Sequence, residues 1–287
     1  MLGDGGLLLI SVSYAVLALA LTRRFLRQQQ LAIPAGITAA LAVVMVPMAI
    51  YASQRLWGLW PESGDDSRLS YRDYHRVIDW RWLMMELATL AAGVIALWRY
   101  RLPFLCMPVA VTLWYLGMDT MPFLLGGDGK SFFSDEGKRV CTAFGLAMVV
   151  VALWVDLRSR QSKDFAFWLY LFGVLSFWGG LTSMNSDSEL GKLVYAGINL
   201  LLIAIGAALS RRVFAVFGAL GVTLYLGHLS HTVFRDSMLF PIALAGLGLA
   251  IIAAGVYWQR HEAAIGQRLR ALLPVVWRER LAKRSAV

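Results

Sequence analysis

The chain has 287 residues, of which 59% are hydrophobic and 16% charged, and its mean hydropathy is +0.62. That balance excludes an ordinary soluble domain. The net charge of +9 would suit nucleic acid, but the basic residues gather in a few short segments and the tail, where membrane topology and anionic lipid explain them, so no nucleic-acid partner is expected.

A lipid-embedded backbone must satisfy its own hydrogen bonds, and a spanning helix needs about 20 apolar residues. Nine segments meet this description, at about 5–22, 31–52, 80–98, 102–125, 140–156, 165–183, 193–209, 213–234 and 237–258, which predicts an all-α membrane protein. The first is followed by Arg23, Arg24 and Arg27 and has only Asp4 as a charge before it, the pattern of a retained helix with its N-terminus outside. Further basic turns at Arg99 and Arg101, at Arg158, Arg160 and Lys163, and at Arg211 and Arg212 alternate with acidic loops. The C-terminus is therefore expected in the cytoplasm.

The longest outer loop, 53–79, is bordered by Trp57, Trp60, Trp80 and Trp82, an expected interfacial aromatic belt. It is also the natural surface for a protein partner. Ser70 and Asp73 resemble a capping box, so the third helix is expected to start before the bilayer; His75, Asp79, Trp82 and Glu86 then fall on one face over about 16 Å. Glu86 lies about 9 Å beyond Trp80, within the apolar run. On the fourth helix Thr112, Tyr115 and Asp119 share a face. The following GGDGK loop at 126–130 lacks the context of a phosphate-binding loop and reads as turn chemistry. Cys106 and Cys141 fall toward opposite membrane faces and are not expected to pair.

The phrase VTLWYLGMD at Val111–Asp119 recurs, with one gap, as VTLYLGHLSH at Val222–His231, and FGLAMVVVALWVDLR at 144–158 resembles LGLAIIAAGVYWQR at 247–260. These likenesses predict one leading helix (1–30, with its basic loop) and two parallel four-helix repeats, 31–164 and 165–258. Residues 259–287 read as a basic amphipathic tail on the cytoplasmic membrane surface. Gly221, Tyr225, His228 and Thr232 share a face on the eighth helix, with His231 beside them, and Asn199 adds a polar group on the seventh.

The stretch FRDSMLFPIALAGLGLAIIAAGVYWQRHEAAI resembles a group of bacterial polytopic membrane proteins known as domains of unknown function. The resemblance rests on Asp236, Ser237, Leu239, Phe240 and Pro241, then Gln259, Arg260 and His261, and covers about the last two helices. It implies a multi-pass protein of the bacterial inner membrane and brings no catalytic residue.

Ionisable side chains within spans mark functional sites by default. The leading expectation is a small-solute or ion transporter with an outward-facing polar cavity lined by Glu86, Asp119, Tyr115, Tyr225 and Asn199. The alternatives are a non-catalytic scaffold or sensor acting through loop 53–79, and a membrane-embedded metal enzyme. For the latter, His228 with His231, or His75 with Asp79, have the spacing to meet one divalent metal.

Overall fold

The computed structural model describes residues 3–60, 80–120, 134–158, 164–184, 188–234 and 240–271, and among these every regular element is helical. The α-helices are α1 (Asp4–Arg24), α2 (Ala32–Leu56), α3 (Trp80–Tyr100), α4 (Cys106–Asp119), α5 (Asp135–Arg158), α6 (Phe167–Ser183), α7 (Glu189–Leu209), α8 (Arg212–Phe234) and α9 (Phe240–Ala271). Six segments are long and apolar enough to cross a membrane: Asp4–Gln29, Ala32–Leu56, Trp80–Tyr100, Asp135–Arg158, Leu190–Leu209 and Arg212–His231. Pro103–Asp119, Phe167–Ser183 and Gly248–Tyr257 are shorter apolar helical stretches.

The distribution of side-chain size fits a helix bundle packed in lipid. Small residues fill the contact between α1, α2 and their neighbours, with Ala18, Ala35, Ala39, Ala40 and Ala42 buried. Large apolar residues point away from it, among them Leu9 and Val16 on α1, Ile95 and Trp98 on α3, and Val150 and Trp154 on α5. Close approach of backbones holds helices together where lipid removes any hydrophobic drive between them.

The chain forms two compact units, Met1–Gly180 and Leu181–Val287. This division falls inside α6, whereas the expected repeat boundary lies at 164/165. In the first unit α1, α2, α3 and α4 pack successively, and contacts between opposite ends make the neighbours antiparallel: Asp4 pairs with Arg55 at 3.2 Å, and Gln54 with the start of α3. In the second unit α7, α8 and α9 pack on one another.

Several boundaries differ from expectation for local reasons. The fifth and seventh helices, expected at 140–156 and 193–209, begin at Asp135 and Glu189, because Ser134 and Ser188 accept hydrogen bonds from Gly137 N and Gly191 N, each at 3.0 Å. A serine that satisfies a free first-turn N–H lets a helix start in polar sequence ahead of its apolar run. Asp164 likewise accepts from Phe167 N at 3.1 Å and starts α6. The last helix does not stop near 258. It continues through the first part of the expected tail to Ala271, 32 residues or about 48 Å, with no Pro after Pro241 in its first turn. His261 stacks on Tyr257 across this join, at 4.3 Å between ring centroids.

The basic turns are closed by non-glycine residues in the left-handed region. Gln30, Arg101 and Ser210 have φ of 53°, 51° and 54°. Gln30 precedes α2, Arg101 precedes α4 and Ser210 precedes α8.

α5 and α6 touch at Gly145. A Cβ there would run into the Phe177 backbone nitrogen and sit 2.7 Å from the Gly173 oxygen, so the two helices would have to separate. Gly179 has open space around it. Gly145→Ala is therefore expected to cost about 1–3 kcal/mol and lower the melting temperature of the detergent-purified protein, while Gly179→Ala leaves it near the wild-type value. Equal melting temperatures would contradict the close α5–α6 contact.

Candidate functional site

Polar side chains inside apolar helices need partners, and most of those here find them on their own helix. Thr89 donates to the Met85 carbonyl at 2.6 Å and Thr112 to the Pro108 carbonyl at 2.8 Å. Such back-bonding satisfies a hydroxyl without any ligand. The buried Asp156 carboxylate accepts from the Tyr170 hydroxyl at 3.2 Å, and Cys141 Sγ lies 3.3 Å from Ser176 Oγ. Cys106 and Cys141 are both buried free thiols.

Glu86 is different. It is 8% exposed, on the α3 stripe Met85, Glu86, Thr89 and Gly93 that packs inward, and no N–H or O–H among the described residues reaches its Oε2. The half-buried Asp119 carboxyl at the end of α4 lies beside its side chain. The contact depends on how closely α3 and α4 run together. At Gly93 a Cβ would stand 2.6 Å from Val109 Cγ2. Near Asp119, the Phe144 ring of α5 occupies the space beside Gly117.

The same end of α3 is fixed to α2 by Gln54, which is 1% exposed. Its Nε2 donates to the Arg81 carbonyl at 3.2 Å, and its Oε1 accepts from the Trp60 indole N–H at 3.1 Å. Trp60 meets Tyr51 and Trp82 edge to face at 5.1 and 5.9 Å, and the Arg81 guanidinium lies 5.3 Å from its ring centre. Trp57 and Trp80 are exposed, and Trp60 is half-buried against Tyr51 and Trp82. Gln54 and Trp60 were not among the expected site residues; a glutamine one turn from the end of an apolar helix was the available signal.

The structure thus places the Asp119 carboxyl beside Glu86 in the first unit. Tyr115 is 42% exposed on α4, and Trp82, expected on the Glu86 face, is exposed while Glu86 is buried. In the second unit, Asn199 is fully buried: its Nδ2 donates to the Tyr195 carbonyl at 2.8 Å, and its side-chain amide fills the place a Cβ on Gly221 would take. Asn199 there secures the α7–α8 contact. Tyr225 is half-buried, and His228 and His231 are exposed on α8. His75 and Asp79 lie outside the described residues, as does the Ser70 helix start. Among the described residues no group of three or more His, Cys, Asp or Glu side chains is placed to hold a metal ion.

Comparison with protein-family models, with curated proteins and with solved structures finds no match, so the site is read from its own chemistry.

Replacing Gln54 by Leu removes one bond from the Trp60 indole and one from the Arg81 carbonyl in a buried setting. A destabilisation of about 1–3 kcal/mol is expected, read as a lower melting temperature, together with a changed Trp fluorescence spectrum. An unchanged spectrum and melting temperature would show that Gln54 does not hold the α2–α3 junction.

Proposed function

We propose that the protein is a small-solute or ion transporter of the bacterial inner membrane, with the Glu86–Asp119 pair as its ion-binding group. The observation that carries this reading is the meeting of two carboxyl side chains between apolar helices, where Glu86 is buried. A charged group at such depth costs several kcal/mol and is rarely kept without a task. The packing of α3 on α4 and the Gln54 junction keep the pair in place, as a site that binds and releases an ion requires.

Further support comes from the arrangement of charge. Asp4 and Arg55 pair at the end of α1 and α2 nearest Gln54, and the basic turns at Arg99 and Arg101 and at Arg23 and Arg24 lie at the opposite ends of their helices. By the positive-inside rule the Glu86–Asp119 end faces outward, with the N-terminus outside and the C-terminus cytoplasmic. Nine spans, arranged as one helix and two four-helix repeats, agree with that orientation.

The test uses proteoliposomes loaded and energised with a proton or sodium gradient, screened with small amino acids, sugars, organic acids and metal cations. Wild-type protein is expected to give gradient-dependent uptake of one class, and Glu86→Gln and Asp119→Asn to insert normally but fall to the level of empty liposomes. Wild-type uptake equal to empty liposomes for every class, or full uptake by both variants, would overturn the reading.

A further inference from the structure

Glu86 is buried although it stands only about 7.5 Å along α3 from Arg81, at the start of the helix. Helical side chains lean toward the N-terminus of their helix, so Glu86 leans toward that end. What lies there is a turn of chain folded back from α2. Gly58 has a φ of 66°, a conformation glycine adopts without strain. It closes α2 with two bonds, Leu59 N to the Gln54 carbonyl and Gly58 N to the Arg55 carbonyl, both at 3.0 Å. The chain is thereby reversed, and Trp60 returns to give its indole N–H to Gln54 Oε1 at 3.1 Å, while Gln54 Nε2 donates to the Arg81 carbonyl. The Trp60 ring touches both Tyr51 of α2 and Trp82 of α3.

Deeper in, α2 is interrupted by Pro47. Proline has no N–H to give the Val43 carbonyl, so the helix bends most readily there. On the inner side of Pro47, Ala35, Ala39, Ala40 and Val43 are locked in one buried core with Leu102 and Leu105, and Val43 stands against Gly93 of α3. On the other side α2 is held by polar contacts near its end, the Gln54 bonds and the Asp4–Arg55 pair. With Gln54 against Arg81 and Val43 against Gly93, the antiparallel register sets Glu86 level with Ala49 and Ile50. Glu86 therefore lies between the proline and the folded-back turn. We infer that the end of α2 from Pro47 to Trp60 is a gate over Glu86, swinging about Pro47 and latched shut by Gln54 and Trp60. Few positions in a helix can absorb such a motion, and a proline between a locked core and a polar latch is one of them.

The gate rests on the transporter reading for its purpose but not for its test, which needs no transported solute. With Cys106 and Cys141 replaced by Ala, Glu86→Cys protein is placed in nanodiscs of phosphatidylethanolamine and phosphatidylglycerol, and its modification by a charged methanethiosulfonate reagent is timed. The thiol reacts only where water reaches it, so the rate is expected to be far below that of Trp57→Cys, which is exposed at the end of α2. Adding Gln54→Leu or Trp60→Phe should raise the rate at position 86 about tenfold, the shift that loss of one hydrogen bond gives an opening equilibrium. Trp60→Phe keeps an aromatic ring and carries the result if Gln54→Leu does not insert. Pro47→Ala added to either should bring the rate back down, because an uninterrupted helix resists the swing. Gly145→Ala, which loosens α5 from α6 instead, should leave it unchanged. Latch variants that react at the original rate, an equal rise in Gly145→Ala, or a fast rate that Pro47→Ala does not lower would each overturn the gate. Latch-dependent access in a protein that moves no solute would keep the gate and remove the transporter reading, whereas gradient-driven uptake with access indifferent to the latch would do the reverse.

Discussion

A polar atom in a medium without water must find a partner inside the protein, and this constraint organises the chain. It makes every described regular element a helix, with the backbone bonds closed within each segment. It turns Ser11, Thr22, Thr89, Thr112 and Thr142 back onto carbonyls of their own helices, and pairs Asp156 with Tyr170 and Gln54 with both Trp60 and Arg81. Against that background Glu86 stands out. The Asp119 carboxyl lies beside it, and no N–H or O–H among the described residues reaches Glu86 Oε2.

The packing that produces this contact uses small residues where helices touch. Gly36 of α2 lies against Phe104, Gly93 of α3 against Val109, and Gly145 of α5 against Phe177, so neighbouring helices approach within reach of each other's polar side chains. In the second unit the same device serves a different end. Gly218 and Gly221 admit Ile203 and Asn199 of α7, and the asparagine is used for packing. A buried polar residue in a span is therefore not in itself a ligand site; what distinguishes Glu86 from Asn199 is whether the side chain is already satisfied.

Much of the architecture was legible in the sequence because hydropathy and length report directly on burial in lipid. The cores of the predicted segments fall within helices, six of which are long and apolar enough to cross a membrane, and Glu86 and Asp119 were identified as ionisable residues within apolar runs. Helix ends were less legible, since Ser134 and Ser188 act through single capping bonds that leave only a weak trace in composition, and α9 passes from apolar into basic sequence without changing conformation. The pairing of Glu86 with Asp119 could not be read from either helix alone, because it depends on the registration of α3 against α4 at Gly93 and Val109. For the same reason Tyr115, Asn199 and Tyr225 were grouped with the pair on the strength of depth, while neighbouring helices give each a different setting.

The most direct test of the central claim is a cysteine cross-link in native membranes. With Cys106 and Cys141 replaced by Ala, a Glu86→Cys/Asp119→Cys protein with a protease site introduced between the two positions is oxidised and cleaved, alongside a Leu87→Cys/Asp119→Cys control in which the first cysteine lies on an exposed face of α3. If the two side chains meet within the bilayer, the first protein stays as one covalent chain after cleavage and the control falls into two. Separation of both proteins, or equal cross-linking of both, would contradict the contact on which the site depends.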